Sequence, residues 1–282
     1  MKNVRILLSS GSLPWINIKK IINLAKTAGY DGIELVPTRK AVKEIKEYAD
    51  YKISKPDNNK LYLSAIKSIH QNWRLDIGQD KSYGIKLSNA VFFNILRLIL
   101  FPKIIESNKK ISLLSKKLNI SLVVHGISEK WTMDNRNKEF SGGILYEMIG
   151  DFISPSELKV WMENEKHNIV TDSRDDQSLV WAKKHGFDNW QAFWNWLGLE
   201  KIKNYQLTLI GIHGLRKIIR HEKSLAEKQL LWLHKKNWHG DVTIEVNPLI
   251  ILILFKGNIK NGLLLIGKFV KQTLIEGKKW SA

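Results

Sequence analysis

The chain has 282 residues, no cysteine, and 45 lysines and arginines against 27 acidic residues, for a formal net charge of +18. That length accommodates one large domain, since α/β barrels of about 250 residues fold as single domains, and it is enough to bury a substantial core. Without cysteine there is no disulfide framework, thiolate metal site or cysteine nucleophile, so His, Asp, Glu or water must hold any metal.

Residues 4–9 read as the first strand. Residues 16–28 read as a helix, with Ile18, Ile21, Ile22 and Ala25 on one face and Gly29 as its stop. A strand follows at 32–36, ended by Pro37, and then a helix at 41–49. Residues 64–69 form a predicted strand running into His70. Residues 87–118 are mostly helical, with a break near Pro102. The next strands are 120–124, running into His125, and 143–146, running into Glu147. Ser154-Pro-Ser-Glu157 opens a helix in the manner of a capping box. Residues 167–171 run into Asp172, and helices follow at 177–184 and 190–197. Residues 207–212 read as a strand into His213, 223–236 as a helix, 242–244 as a strand into Glu245, and 262–275 as a closing helix. The alternation predicts a parallel sheet. Eight βα units in this length predict an α/β fold, a single (β/α)8 TIM barrel over residues 1–282.

Six of these strands end in an ionisable residue: His70, His125, Glu147, Asp172, His213 and Glu245. Each alone also reads as a satisfied structural polar group. In a barrel, however, all strand C-termini open on one face, where so many ionisable groups repel unless a cation neutralises them. His with carboxylates suits a divalent metal: Mn, Mg, Co or Zn.

Several segments carry a family resemblance. They are Ser10-Gly-Ser-Leu-Pro-Trp15 with Leu24-Ala-Lys-Thr-Ala-Gly-Tyr-Asp-Gly-Ile-Glu-Leu35, then Ser68-Ile-His-Gln71 and Val123-Val-His125. Leu145-Tyr-Glu-Met148, Ile169-Val-Thr-Asp172, Ile210-Gly-Ile-His213 and Val242-Thr-Ile-Glu-Val-Asn-Pro248 continue the series. In this order they resemble the xylose-isomerase-like TIM-barrel superfamily, which holds sugar and sugar phosphate isomerases and epimerases and the family-2 apurinic/apyrimidinic endonucleases. The resemblance implies that Glu147, Asp172, His213 and Glu245 are metal ligands and that Glu147 and Glu245 form an acid/base pair. It implies that His70 and His125 contact substrate or further metals, and that Glu34 orients His70 or substrate. The nuclease pattern is broken at Asp172-Ser-Arg-Asp175 and at His213-Gly-Leu-Arg216. Arg174 and Arg216 read either as clamps for a phosphate or carboxylate or as solvated partners of Asp175 and Asp176. His221 joins the substrate-binding set. Trp15 and Trp73, in loops after strand ends, read as walls for a substrate, while Trp190, Trp194 and Trp196 read as core.

The charge invites a nucleic-acid reading, yet 37 of the 45 basic residues are lysine, whereas base and phosphate recognition favours arginine. The apolar run 91–105 is interrupted by Asn94, Arg97, Pro102 and Lys103. The run 249–255 is far shorter than the roughly 18 residues a span needs. The start of the chain lacks the apolar core of a signal peptide. The expectation is a cytoplasmic, divalent-metal-dependent isomerase or epimerase of a sugar or sugar phosphate, acting through an enediolate and having no membrane partner. Two alternatives stand beside it. One is a metal-dependent AP-endonuclease-like phosphodiesterase acting on DNA. The other is a TIM barrel that serves as a non-catalytic binding protein.

Overall fold

The computed structural model describes residues 4–13, 16–35, 62–68, 121–125, 144–147, 168–173, 182–183, 185–209 and 211–280, with backbone alone for 62–68, 121–125 and 144–147. In chain order the elements are β1 (Arg5–Ser9), α1 (Ile18–Thr27), β2 (Gly32–Leu35), β3 (Tyr62–Ser68), β4 (Ser121–His125), β5 (Ile144–Glu147) and β6 (Asn168–Asp172). They continue with α2 (Trp190–Leu197), β7 (Ile202–Leu209), α3 (Ile212–Ile219), α4 (Leu225–Lys235), β8 (Asp241–Val246), α5 (Pro248–Leu254) and α6 (Ile259–Val270). The predicted helices at 41–49, 87–118 and after Ser154 lie outside the described residues.

Two compact units divide the chain. One comprises residues 1–35, 59–64 and 154–282, and the other residues 36–58 and 65–153. In the first, β6, β7, β8, β1 and β2 pair side by side, every pair parallel. In the second, β4 pairs in parallel with β3 and with β5, and His125 stands opposite Glu147.

Local chemistry accounts for the first unit. Asn17 caps α1 by accepting from the Lys20 N–H at 2.9 Å, and Ile18, Ile21 and Ala25 turn inward. Gly29, at φ 76°, supplies the left-handed residue that ends the helix. Tyr30 is buried and donates to the Leu263 carbonyl at 2.9 Å; burial raises its pKa and keeps the phenol protonated. Ile6, Leu7 and Leu8 of β1 are all fully buried, as expected for a strand covered on both faces. A two-pronged ion pair joins Arg5 to Asp241 across β1 and β8, at 2.7 and 2.6 Å.

On α2, Trp190, Phe193, Trp194 and Leu197 share the buried face. Trp190, Trp194 and Trp232 meet edge to face, and Trp194 abuts Tyr205 of β7. The tryptophans read as core are therefore core at Trp190 and Trp194, while Trp196 is 38% exposed. Outside the sheet, the Tyr205 hydroxyl donates to Gln229 of α4, and the Trp238 indole donates to the Ile202 carbonyl.

Two sequence expectations are corrected, and one helix appears where none was assigned. The seventh strand is Ile202–Leu209, not 207–212, because residues 212–219 place Ile212, Leu215 and Ile218 at helical spacing and fold as α3 behind Gly211. Residues 249–255 belong mostly to a helix, α5, capped by Asn247 with Pro248 at its first position. The closing helix begins at Ile259 and ends in a π-helical turn, Lys271–Ile275. Among the described residues, no helix is long and apolar enough to cross a membrane.

Candidate functional site

Strand alternation builds the site. On β7, Tyr205 and Leu207 pack outward against helices, so Asn204 and Gln206 face the opposite side. Register sets Gln206 opposite Asp172 on β6 and opposite Thr243 on β8. Two polar layers result.

The lower layer is fully buried. Asn204 donates to Thr243 Oγ1 at 2.9 Å and to Glu34 Oε2 at 3.4 Å, and the Thr243 hydroxyl donates to the same Glu34 oxygen at 3.0 Å. All three side chains have zero exposure. Glu34, expected to orient His70 or a substrate, is thus part of the interior floor formed by β2, β7 and β8.

The upper layer holds the strand-end acids. Gln206, 1% exposed, donates from Nε2 to Glu245 Oε2 at 2.6 Å, a short hydrogen bond to a carboxylate. Its amide oxygen is buried with no hydrogen-bond partner, a state that native interiors rarely tolerate. Asp172 stands opposite it, 6% exposed. Asp172, Glu245 and the Gln206 amide oxygen all offer oxygen donors. Such a set suits a hard divalent cation such as Mg²⁺ or Mn²⁺ better than one seeking imidazole or thiolate. Among the described residues, no group of three or more His, Cys, Asp or Glu that could hold a metal ion is found.

Other predicted residues fall elsewhere. His213 is not at a strand end; it lies in α3, exposed, as does Arg216. His221 follows α3 at φ 55°, and its ring stacks on Trp280 at 4.6 Å, packing against the C-terminal segment. His125 and Glu147 end β4 and β5 as expected. Trp15, His70, Trp73 and Arg174 lie outside the described residues. Sequence reasoning missed Gln206, because it confined metal ligands to His, Asp, Glu or water and left out amide oxygens. The signal was available in the alternation Asn204-x-Gln206-x-Thr208, which sets polar side chains on one face of a strand whose other face is Tyr205, Leu207 and Leu209.

No family model matches the sequence, and no curated protein matches it. Solved structures do. The IolI protein, whose structure carries a zinc atom, aligns at TM-score 0.57 and 14% identity over 99% of this chain and 100% of its own. AsbF of Bacillus anthracis, a probable 3-DHS dehydratase, aligns at 0.55 and 14% over 96% and 98%. A xylose isomerase domain containing protein of Salmonella typhimurium aligns at 0.57 and 10% over 96% and 97%. The chain shares the α/β fold of these solved structures, the fold class that its alternation of strands and helices predicts.

Proposed function

We propose that this chain is a divalent-cation-dependent enzyme that isomerises or epimerises a sugar or sugar phosphate through an enediolate. One observation carries the reading: buried Gln206 clasps Glu245 at 2.6 Å, beside Asp172, with its own amide oxygen left for a ligand. The zinc atom of the IolI protein supports a metal-dependent chemistry on this fold.

Asp172, Gln206 Oε1 and Glu245 would hold the cation. Bound there, a divalent cation polarises a substrate carbonyl and its neighbouring hydroxyl and acidifies the C–H between them. The hydrogen bond from Gln206 Nε2 fixes how Glu245 presents its carboxylate. Glu245 takes the proton from that carbon, and the C–H electron pair moves toward the carbonyl oxygen to give the enediolate. Returning the proton to the adjacent carbon, while the hydroxyl proton passes to the former carbonyl oxygen, completes an isomerisation. Delivery of a different proton to the same carbon from the opposite face, by a protonated acid other than Glu245, completes an epimerisation.

The test is cation binding followed by calorimetry and thermal melting. The wild-type protein should bind one Mn²⁺ or Mg²⁺ and melt higher with it. Asp172→Asn and Glu245→Gln should each weaken binding by roughly tenfold or more while the apo proteins stay folded, as expected when a metal-binding carboxylate loses its charge. Wild-type protein that neither binds nor gains stability from any of Mn²⁺, Mg²⁺, Co²⁺ or Zn²⁺ overturns the reading.

A further inference from the structure

Among the described residues, helix α5 carries the two most exposed large hydrophobic side chains. Leu249 and Ile253 are 63% and 68% exposed, and among the described residues only Trp196, at 38%, joins them as an exposed large hydrophobic. Four residues apart, they form one ridge of the helix. Ile250, Leu252, Leu254 and Phe255 are half-buried beside them, so the surface is continuously aliphatic. Exposed Lys256 and Lys260 follow at once. From Asn247 to Ile275 the chain carries four lysines, at 256, 260, 268 and 271, and no acidic residue. Asp and Glu would oppose contact with an anionic surface, and the segment excludes both.

We infer that α5 and the start of α6 form a peripheral docking surface for an anionic lipid bilayer. An aliphatic ridge flanked by lysines is the pattern of a helix that lies in the headgroup boundary. Apolar side chains supply burial there, and each lysine adds attraction to negative headgroups. A second copy of the chain fits less well, because it would bring together two molecules that each carry a net charge of +18. The contact departs from the sequence expectation of no membrane partner, which rested on spanning segments; it needs none, and no membrane-crossing helix occurs among the described residues. It places the surface immediately after β8, which carries Glu245.

Vesicle co-sedimentation of the full chain tests this, using liposomes of phosphatidylcholine alone and with about a third phosphatidylglycerol. Wild-type protein should sediment with the anionic vesicles and far less with the neutral ones. Leu249→Glu/Ile253→Glu and Lys256→Glu/Lys260→Glu should each cut the partition coefficient by roughly tenfold or more. All four positions are exposed, so the melting temperatures should hold. Lys235→Glu/Lys236→Glu, at exposed positions where α4 ends, makes the same charge change elsewhere and should leave binding nearly intact. Loss through that control alone would show attraction by net charge and overturn the inference. So would equal binding by the Leu249/Ile253 variant, or absence of vesicle binding with retention on a polyglutamate column. A wild-type dimer dissolved by Leu249→Glu, without vesicle binding, would assign the face to a second copy instead.

Discussion

Replacing Thr243 by valine isolates the floor of the site with almost no change of shape. The hydroxyl donates to Glu34 Oε2 at 3.0 Å and accepts from Asn204 at 2.9 Å, and all three side chains have zero exposure. Valine fills the same volume, so no cavity term enters. A hydrogen bond to a carboxylate contributes about 1.5–3 kcal/mol and a neutral one about 1 kcal/mol. The added methyl returns roughly 1 kcal/mol through burial, which leaves a net loss of about 2 kcal/mol. At the usual unfolding entropy per residue, that loss lowers the melting temperature of a 282-residue chain by roughly 3 to 4 °C. Calorimetry and urea denaturation should agree, with the midpoint falling and the slope unchanged. Thr243→Ser, which keeps the hydroxyl, should recover more than half of the loss. A valine variant that melts within 1 °C of wild type would show that the Glu34–Thr243–Asn204 layer does not stabilise the fold as argued.

Gln206→Glu sets a second carboxyl against Glu245, and the two must share a proton, which raises the upper pKa of the pair above the ordinary carboxylate range. A raised folded pKa stabilises below the unfolded value of about 4.3 and loses that contribution as pH climbs through the folded value. The variant should therefore approach wild-type stability near pH 4 and fall behind toward pH 8 in a series of melts, with Mn²⁺ restoring it. His213→Ala, an exposed change on α3, should leave the melting temperature within about 1 °C and cation affinity within about twofold; a roughly tenfold loss of affinity would return His213 to the ligand set. Trp194→Ala removes a side chain that is 1% exposed among Trp190, Trp232 and Tyr205, and should cost about 3–5 kcal/mol in denaturant unfolding.

The strands that deliver Asp172 and Glu245 were legible because apolar runs end in a lone acid at each. Seen from sequence, β7 is harder. Its site-facing positions, Asn204, Gln206 and Thr208, are polar, and Lys203 near its start is exposed, so the strand lacks an apolar run. The nearby Leu207–Ile212 segment is richer in aliphatic residues and ends in a histidine, the more familiar ligand. Gly211 and the helical spacing of Ile212, Leu215 and Ile218 override that reading once tertiary packing is available. Helix α5 was obscured for a similar reason: uniform hydrophobicity gives no period, and only the Asn247-Pro248 start betrays it. The interior floor could not be read at all. Glu34, Asn204 and Thr243 are separated by as many as 209 positions, and only strand register brings them together.

The central claim is proton abstraction next to a carbonyl by Glu245 in a cation-loaded site. Proton NMR of a panel of aldoses, ketoses and their phosphates in deuterium oxide, with protein and Mg²⁺, reads it directly. Wild-type protein is expected to exchange the proton on the carbon beside the carbonyl of at least one member and to form its isomer or epimer. Glu245→Gln should leave that proton in place. Absence of exchange across the panel by wild-type protein that has been shown to bind the cation, or undiminished exchange by Glu245→Gln, would contradict the account.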